Sequence, residues 1–104
     1  MSTLPASLPE GWFPSDPDKA RLLHVELQKE LPPGHILYGV PVEVVAHRDG
    51  TDDILCRHRS DPARFTVIHL SWLGREEINA QHPHVEDDGD FDSFLHYEAA
   101  FYGR

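Results

Sequence analysis

Cysteine, positive charge and long hydrophobic runs are all scarce in this chain. The 104 residues include one cysteine, Cys56, so no internal disulfide can form and nothing indicates an oxidising compartment. No run approaches the ~20 apolar residues that a membrane helix needs. The stretch from Met1 to Pro14 lacks the basic start and unbroken apolar core of a signal peptide. We therefore expect a cytoplasmic protein that does not enter a membrane.

Recognisable catalytic signatures are also lacking. No Gly-x-Ser-x-Gly turn surrounds Ser71, and the chain has neither a phosphate-binding glycine loop nor a dinucleotide fingerprint. The alternating Asp88, Asp90 and Asp92 are not followed by the glycine and the glutamate that a calcium loop requires. The sequence therefore predicts no catalytic residue and no cofactor, and it favours a non-enzymatic protein.

The charge balance limits the class of partner. Eighteen acidic residues face nine lysines and arginines, which gives a formal net charge of −9. Such a field repels the phosphate backbone of a nucleic acid, whereas it attracts a basic protein and speeds the encounter with it. We expect a basic protein as partner and no nucleic acid.

The first regular element predicted is an amphipathic helix. Asp16 is a capping residue followed by Pro17, which suits the first helical position. Leu23, Leu27 and Leu31 then recur at helical spacing. The Pro-Pro-Gly sequence that begins at residue 32 ends the helix.

A β-rich region follows. It predicts strands near 42–47, 54–58 and 65–72, separated by Asp-Gly and Asp-Pro turns. Residues 74–89 are polar and predict an irregular segment, and the aromatic residues after Asp90 predict a last helix.

Together these elements predict an α+β fold, in which an antiparallel meander of three to four strands carries an N-terminal and a C-terminal helix in the order α-β-β-β-α. We expect both helices on one face of the sheet. Residues 1–15 form a proline-rich arm whose prolines disfavour regular strand pairing, and residues 16–104 form a single domain.

The last third of the chain resembles a group of small bacterial proteins. The resemblance lies in the tract from Val67 to Trp72, in a Gly-Arg-Glu-Glu loop and in a late aromatic helix. It supports the predicted architecture and implies no activity.

Histidines give the candidate metal site. Cys56 and His58 are two residues apart on a predicted strand, so their side chains share a face and could bind one ion with His69. His82 and His84 form a second His-x-His candidate in an extended segment.

Strand register decides whether His69 joins the first of these sites. In one register His69 lies opposite His58. In the other, Ile54 and Cys56 join the apolar residues of the next strand in the core, and His69 faces away from them. The second arrangement gives the better apolar layer.

Two main functions follow from these patterns. The first is a small acidic binding module of the inhibitor or immunity type, which contacts a basic partner. Its expected contact residues are Tyr97, Phe101, Asp87, Asp88, Glu76 and Glu77. The alternative is a histidine-based metal- or small-ligand-binding protein, with an enzyme as one form of it. Self-association into a homodimer is a third reading.

Overall fold

A computed structural model describes residues 4–72 and 74–101. For the last of these, Phe101, it describes the backbone alone. Five strands form one antiparallel sheet in the order β1-β2-β3-β4-β5, and two helices accompany it. The elements are β1 (Trp12–Pro14), α1 (Pro17–Glu30), β2 (Val42–Arg48), β3 (Asp53–His58), β4 (Phe65–His69), β5 (His84–Gly89) and α2 (Phe91–Phe101). Neither helix combines the length and the apolar character that a membrane crossing requires.

Both predicted helices are confirmed, and each is capped by an aspartate. Oδ1 of Asp16 accepts a hydrogen bond from the backbone N–H of Lys19 at 2.8 Å, and Pro17 takes the first helical position. Oδ1 of Asp90 accepts from the N–H of Ser93 in the same way. These carboxylates satisfy N–H groups that have no acceptor within the first turn of a helix.

The sheet has two more strands than the three in the predicted order. Strand β1 lies in the proline-rich segment that was expected not to pair, and Trp12 is buried there. Pairing is compatible with Pro14 because this strand is an edge strand, where a missing N–H leaves no central ladder incomplete. Strand β5 lies in the segment that was expected to be irregular. It is polar because it is the other edge, where exposed charged side chains are typical.

The expectation that both helices cover one face of the sheet is wrong. Leu27 of α1 packs with Ile54 and Ile68 in one buried cluster, whereas Phe94 of α2 packs with Leu55 and Val67 in another. Neighbouring residues of a strand point to opposite faces, so α1 and α2 lie on opposite sides of the sheet. Strands β3 and β4 are apolar on both faces because they form the middle layer of a three-layer structure.

Candidate metal centre

Three strand ends meet at one edge of the α2-covered face. Asp53 at the start of β3 lies opposite His69 at the end of β4, and His69 lies opposite His84 at the start of β5. Asp53 and His69 follow the face of Leu55 and Val67, which α2 covers further along the strands. The antiparallel register therefore places a carboxylate and two imidazoles side by side.

Asp53 and His69 form the centre of this group. The ring nitrogen Nδ1 of His69 and Oδ1 of Asp53 are 2.8 Å apart, within hydrogen-bond distance. The side chain of Asp53 is 4% exposed, whereas that of His69 is 48% exposed. The hydroxyl of Thr51 donates to Oδ2 of Asp53 at 3.2 Å. Asp53 is thus held in place beneath an imidazole that water reaches.

Glu86 adds a second carboxylate because β5 has an irregularity beside it. Val67 pairs with Asp87 and Ile68 pairs with Val85, so Glu86 is the extra residue on β5. Such a bulge reorients side chains relative to regular alternation. One donor atom each from Asp53, His69 and Glu86 lie within 4.8 Å of one another.

His84 lies beside this trio. Its Nε2 is 3.5 Å from Oε2 of Glu86, and its ring is 6.5 Å from that of His82 between centroids. The two histidines of the predicted His-x-His motif are therefore close to each other. His84 adjoins the three-donor group through Glu86.

The donor set determines the chemistry that this group can perform. Imidazole nitrogen together with carboxylate oxygen suits Zn²⁺ and neighbouring divalent transition ions. An ion held by these three donors beside an exposed imidazole would keep further coordination positions for water or a small ligand. The hydrogen bond from Thr51 resembles the supporting contacts that orient ligands in metal sites.

Cys56 and His58, the other predicted metal ligands, lie elsewhere. Both point toward the α1 side of the sheet, whereas His69 points toward the α2 side. This is the arrangement of the second predicted register, in which Cys56 joins the core and His69 faces away from it. Burial raises the pKa of the Cys56 thiol to about 12, which disfavours the thiolate that binds metals.

The imidazole of His58 is engaged in a buried hydrogen-bond network. The hydroxyl of Thr66 donates to Asp88 at 2.8 Å, so Nε2 of His58, 2.8 Å from the same hydroxyl, is the donor to it. Burial lowers the pKa of His58, with Arg64 as a further cause. This nitrogen therefore has a structural role within the fold.

The residues expected to contact a partner are dispersed. Asp88 forms an ion pair with Arg64 at 2.6 Å, and Asp87 accepts a hydrogen bond from the hydroxyl of Ser93 at 2.9 Å. Tyr97 is half-buried and packs against the core cluster of α2.

Glu77 accepts a hydrogen bond from Ser71 beside the end of α1, and Glu76 is exposed in the same loop. The side chain of Phe101 lies outside the described residues. Asp87 and Glu77 are thus on different sides of the sheet.

A buried ion pair lies on the α2 side of the sheet, near the candidate metal centre. Arg48 donates to Oε1 of Glu98 at 2.6 Å, while Oε2 of Glu98 has no hydrogen-bond partner among the residues that the structure describes. Burial raises the pKa of Glu98, and the charge of Asp53 adds to this effect. The indole of Trp12 is close enough to lower that pKa but lies outside normal hydrogen-bond geometry. Arg48 therefore compensates part of the charge of Glu98, whose carboxyl group also interacts with the charge of Asp53.

The sequence patterns did not indicate Asp53 and Glu86 as candidate metal ligands. Asp53 follows the Asp-Gly turn and resembles one more surface acid, and Glu86 belongs to an acidic run. The available signal was Glu86 two residues after His84, at the strand spacing that brings side chains to one face. Comparisons with protein families, curated proteins and solved structures find no match.

Proposed function

We propose that this protein binds a divalent transition-metal ion through Asp53, His69 and Glu86, with His84 beside them. The observation that carries the proposal is the convergence of three donor atoms within 4.8 Å on three adjacent strands. Asp53 and His69 are paired positions of a packed sheet, which holds ligands more firmly than loops do, and Glu86 lies at the bulge of β5.

Electrostatics supports an ion at this position. Two carboxylates this close repel each other, and the more so because Asp53 is nearly excluded from water. A bound cation removes this repulsion, whereas His69 compensates it only when protonated. Metal binding was the alternative function predicted from the sequence. We place it before the binding of a basic protein, because the acids of the expected partner surface are spread over both sides of the sheet.

Titration calorimetry with Zn²⁺ tests the proposal. We expect saturable binding of one ion, and a loss of affinity on the order of tenfold or more for Asp53→Asn and for His69→Gln. Asp61→Asn is the matched control, because it removes the same charge from an exposed turn at the other end of the β3–β4 hairpin. Binding should weaken in acid, because protons compete with the ion for its ligands.

Two outcomes count against the proposal. One is the absence of saturable binding by the wild-type protein. The other is equal affinity in Asp53→Asn and Asp61→Asn, which would assign any binding to overall negative charge.

A second candidate function is the binding of a basic protein. It is supported by the net charge of −9 together with large apolar side chains at the surface, among them Leu22 and Val25 on the outer side of α1. The contact residues expected from the sequence remain part of this proposal. Affinity capture from a cell extract at rising salt tests it, since binding to a basic partner weakens as salt screens the charges.

A further inference from the structure

Trp72 has a backbone conformation that bulky residues rarely adopt. Its φ is +58°, in the left-handed region that favours glycine. Conformations of this kind persist only where surrounding contacts impose them, and they cluster at functional sites.

Two glutamates of α1 impose this conformation. The carboxylate of Glu30, which is completely buried, accepts hydrogen bonds from the backbone N–H of Ser71 at 2.9 Å and from that of Trp72 at 2.7 Å. Oε2 of Glu26 accepts from the N–H of Gly74 at 3.0 Å. The backbone around Trp72 is therefore fixed to the helix.

The Trp72 ring is nevertheless exposed to solvent. Trp72 is 43% exposed although its main chain is held by a buried acid. It lines a cleft of about 180 Å³ between α1 and the turn that joins β2 to β3. Leu23 and Ile54 contribute apolar surface to this cleft, and Asp49 and Asp52 lie in the turn beside it.

We infer that this cleft is an interaction surface that receives an arginine side chain of a basic protein partner. A guanidinium group stacks on an indole and pairs with carboxylates, and Trp72 with Asp49 and Asp52 offers both. Lys19 also lines the cleft and opposes a cation there. This inference rests on the second candidate function, the binding of a basic protein.

The other positively charged groups at the cleft are engaged within the protein. Arg48 forms its ion pair with Glu98, and Nδ1 of His47 is 2.8 Å from the hydroxyl of Ser15. Burial lowers the pKa of His47, and the charge of Lys19 lowers it further. The imidazole is therefore biased toward its neutral form. Asp53 also lines the cleft, but its side chain is almost fully buried and pairs with His69, so Lys19, Asp49 and Asp52 are the main charges that a ligand meets.

Calorimetry with an Arg-Gly repeat peptide tests the inference, with Lys-Gly and Glu-Gly repeats as comparison probes. We expect Trp72→Gly to weaken the Arg-Gly peptide by about tenfold and Asp52→Asn to weaken it by about threefold. Lys19→Gln should tighten it about twofold. Glycine accepts the positive φ, so Trp72→Gly should keep the fold, which thermal unfolding of the variant checks.

The outcomes separate this inference from the function on which it rests. Equal binding of the Arg-Gly peptide by wild type and Trp72→Gly would show that the cleft is not the arginine site. It would not contradict the binding of a basic protein elsewhere on the surface. Absence of binding to either basic peptide would overturn both. Preference for the Glu-Gly peptide, lost in Lys19→Gln, would also overturn the inference, because it would make the cleft an anion site. Should Trp72→Gly fail to fold, the opposite effects of Asp52→Asn and Lys19→Gln decide the same question.

Discussion

Glu30 and Glu26 show how a buried acid can stabilise one backbone segment and still depend on pH. Burial, together with a hydrogen bond to Glu26, raises the pKa of Glu30 to about 7. The same hydrogen bond lowers the pKa of Glu26, as does the contact with Gly74. The pair therefore retains one proton up to neutral pH, because two carboxylates in contact do not both ionise readily.

We predict that Glu30→Gln changes how stability depends on pH. A raised acid pKa contributes stability that is complete below the ordinary value of 4.5 and is lost as pH rises through about 7. Glutamine stays neutral at every pH, but its amide nitrogen cannot accept one of the two backbone N–H bonds that the Glu30 oxygens accept. The variant should therefore be less stable than the wild type near pH 5, and the difference should shift in its favour by on the order of 2 kcal/mol by pH 8. Urea unfolding at both values measures the difference.

Two histidines change the stability with pH in the direction opposite to Glu30, so the pH dependence of the wild type alone does not isolate the effect of Glu30. The pKa values of His47 and His58 are lowered by burial. Their contribution to stability is therefore present above the ordinary histidine value and is lost as pH falls. An equal pH dependence in wild type and Glu30→Gln would show that Glu30 is not protonated near neutrality.

At the scale of elements, α1 depends on Asp16, the residue that caps its N-terminus. Asp16 satisfies an N–H of the first turn that would otherwise lack a partner. We predict that Asp16→Ala lowers the free energy of unfolding by about 1 kcal/mol. Asp18→Ala is the control, since its side chain is exposed and its ion pair with Arg21 lies at the surface. That control should cost less than about 0.5 kcal/mol, and equal losses in the two variants would contradict the capping role.

The elements that were predictable from sequence are those with a strong local pattern. The Asp-Pro start and the leucine spacing identified α1, and the β-branched residues identified β2, β3 and β4. Strands β1 and β5 carry no such pattern, because β1 has three residues, one of them proline, and half of the residues of β5 are acidic. They are strands because a neighbouring strand offers hydrogen bonds, and sequence alone does not show which neighbour is present.

At the scale of the whole molecule, the sheet separates two cores. Ile68 belongs to the core under α1, and Phe94 belongs to the core under α2. Apolar residues on both sides of β3 and β4 were visible in the sequence, but the helices were assigned to one face. Continuous apolar character in a strand indicates cover on both faces, and that rule would have predicted the observed arrangement.

We predict that substitutions in the two cores are additive. Ile68→Val should cost about 1 kcal/mol and Phe94→Leu a similar amount, because each removes packing from one core. The double variant should lose the sum of the two to within about 0.5 kcal/mol. A coupling free energy above about 1 kcal/mol, measured by urea unfolding of all four proteins, would show that the two clusters act as one.

The candidate metal centre was only partly predictable. His69 and His84 were named from sequence, but their meeting depends on the register between β4 and β5. The position of Asp53 beside His69 depends on the register between β3 and β4, which the sequence left open. The position of Glu86 depends on a bulge in β5. Register and bulges are set by packing of the whole sheet, so local patterns could identify the donor types but not the set.

Anomalous diffraction from crystals grown with Zn²⁺ locates a bound ion directly. We predict an anomalous peak about 2.0–2.2 Å from a ring nitrogen of His69 and from carboxylate oxygens of Asp53 and Glu86. A peak at His58 or at His82 alone, or none at the ends of β3, β4 and β5, would contradict it.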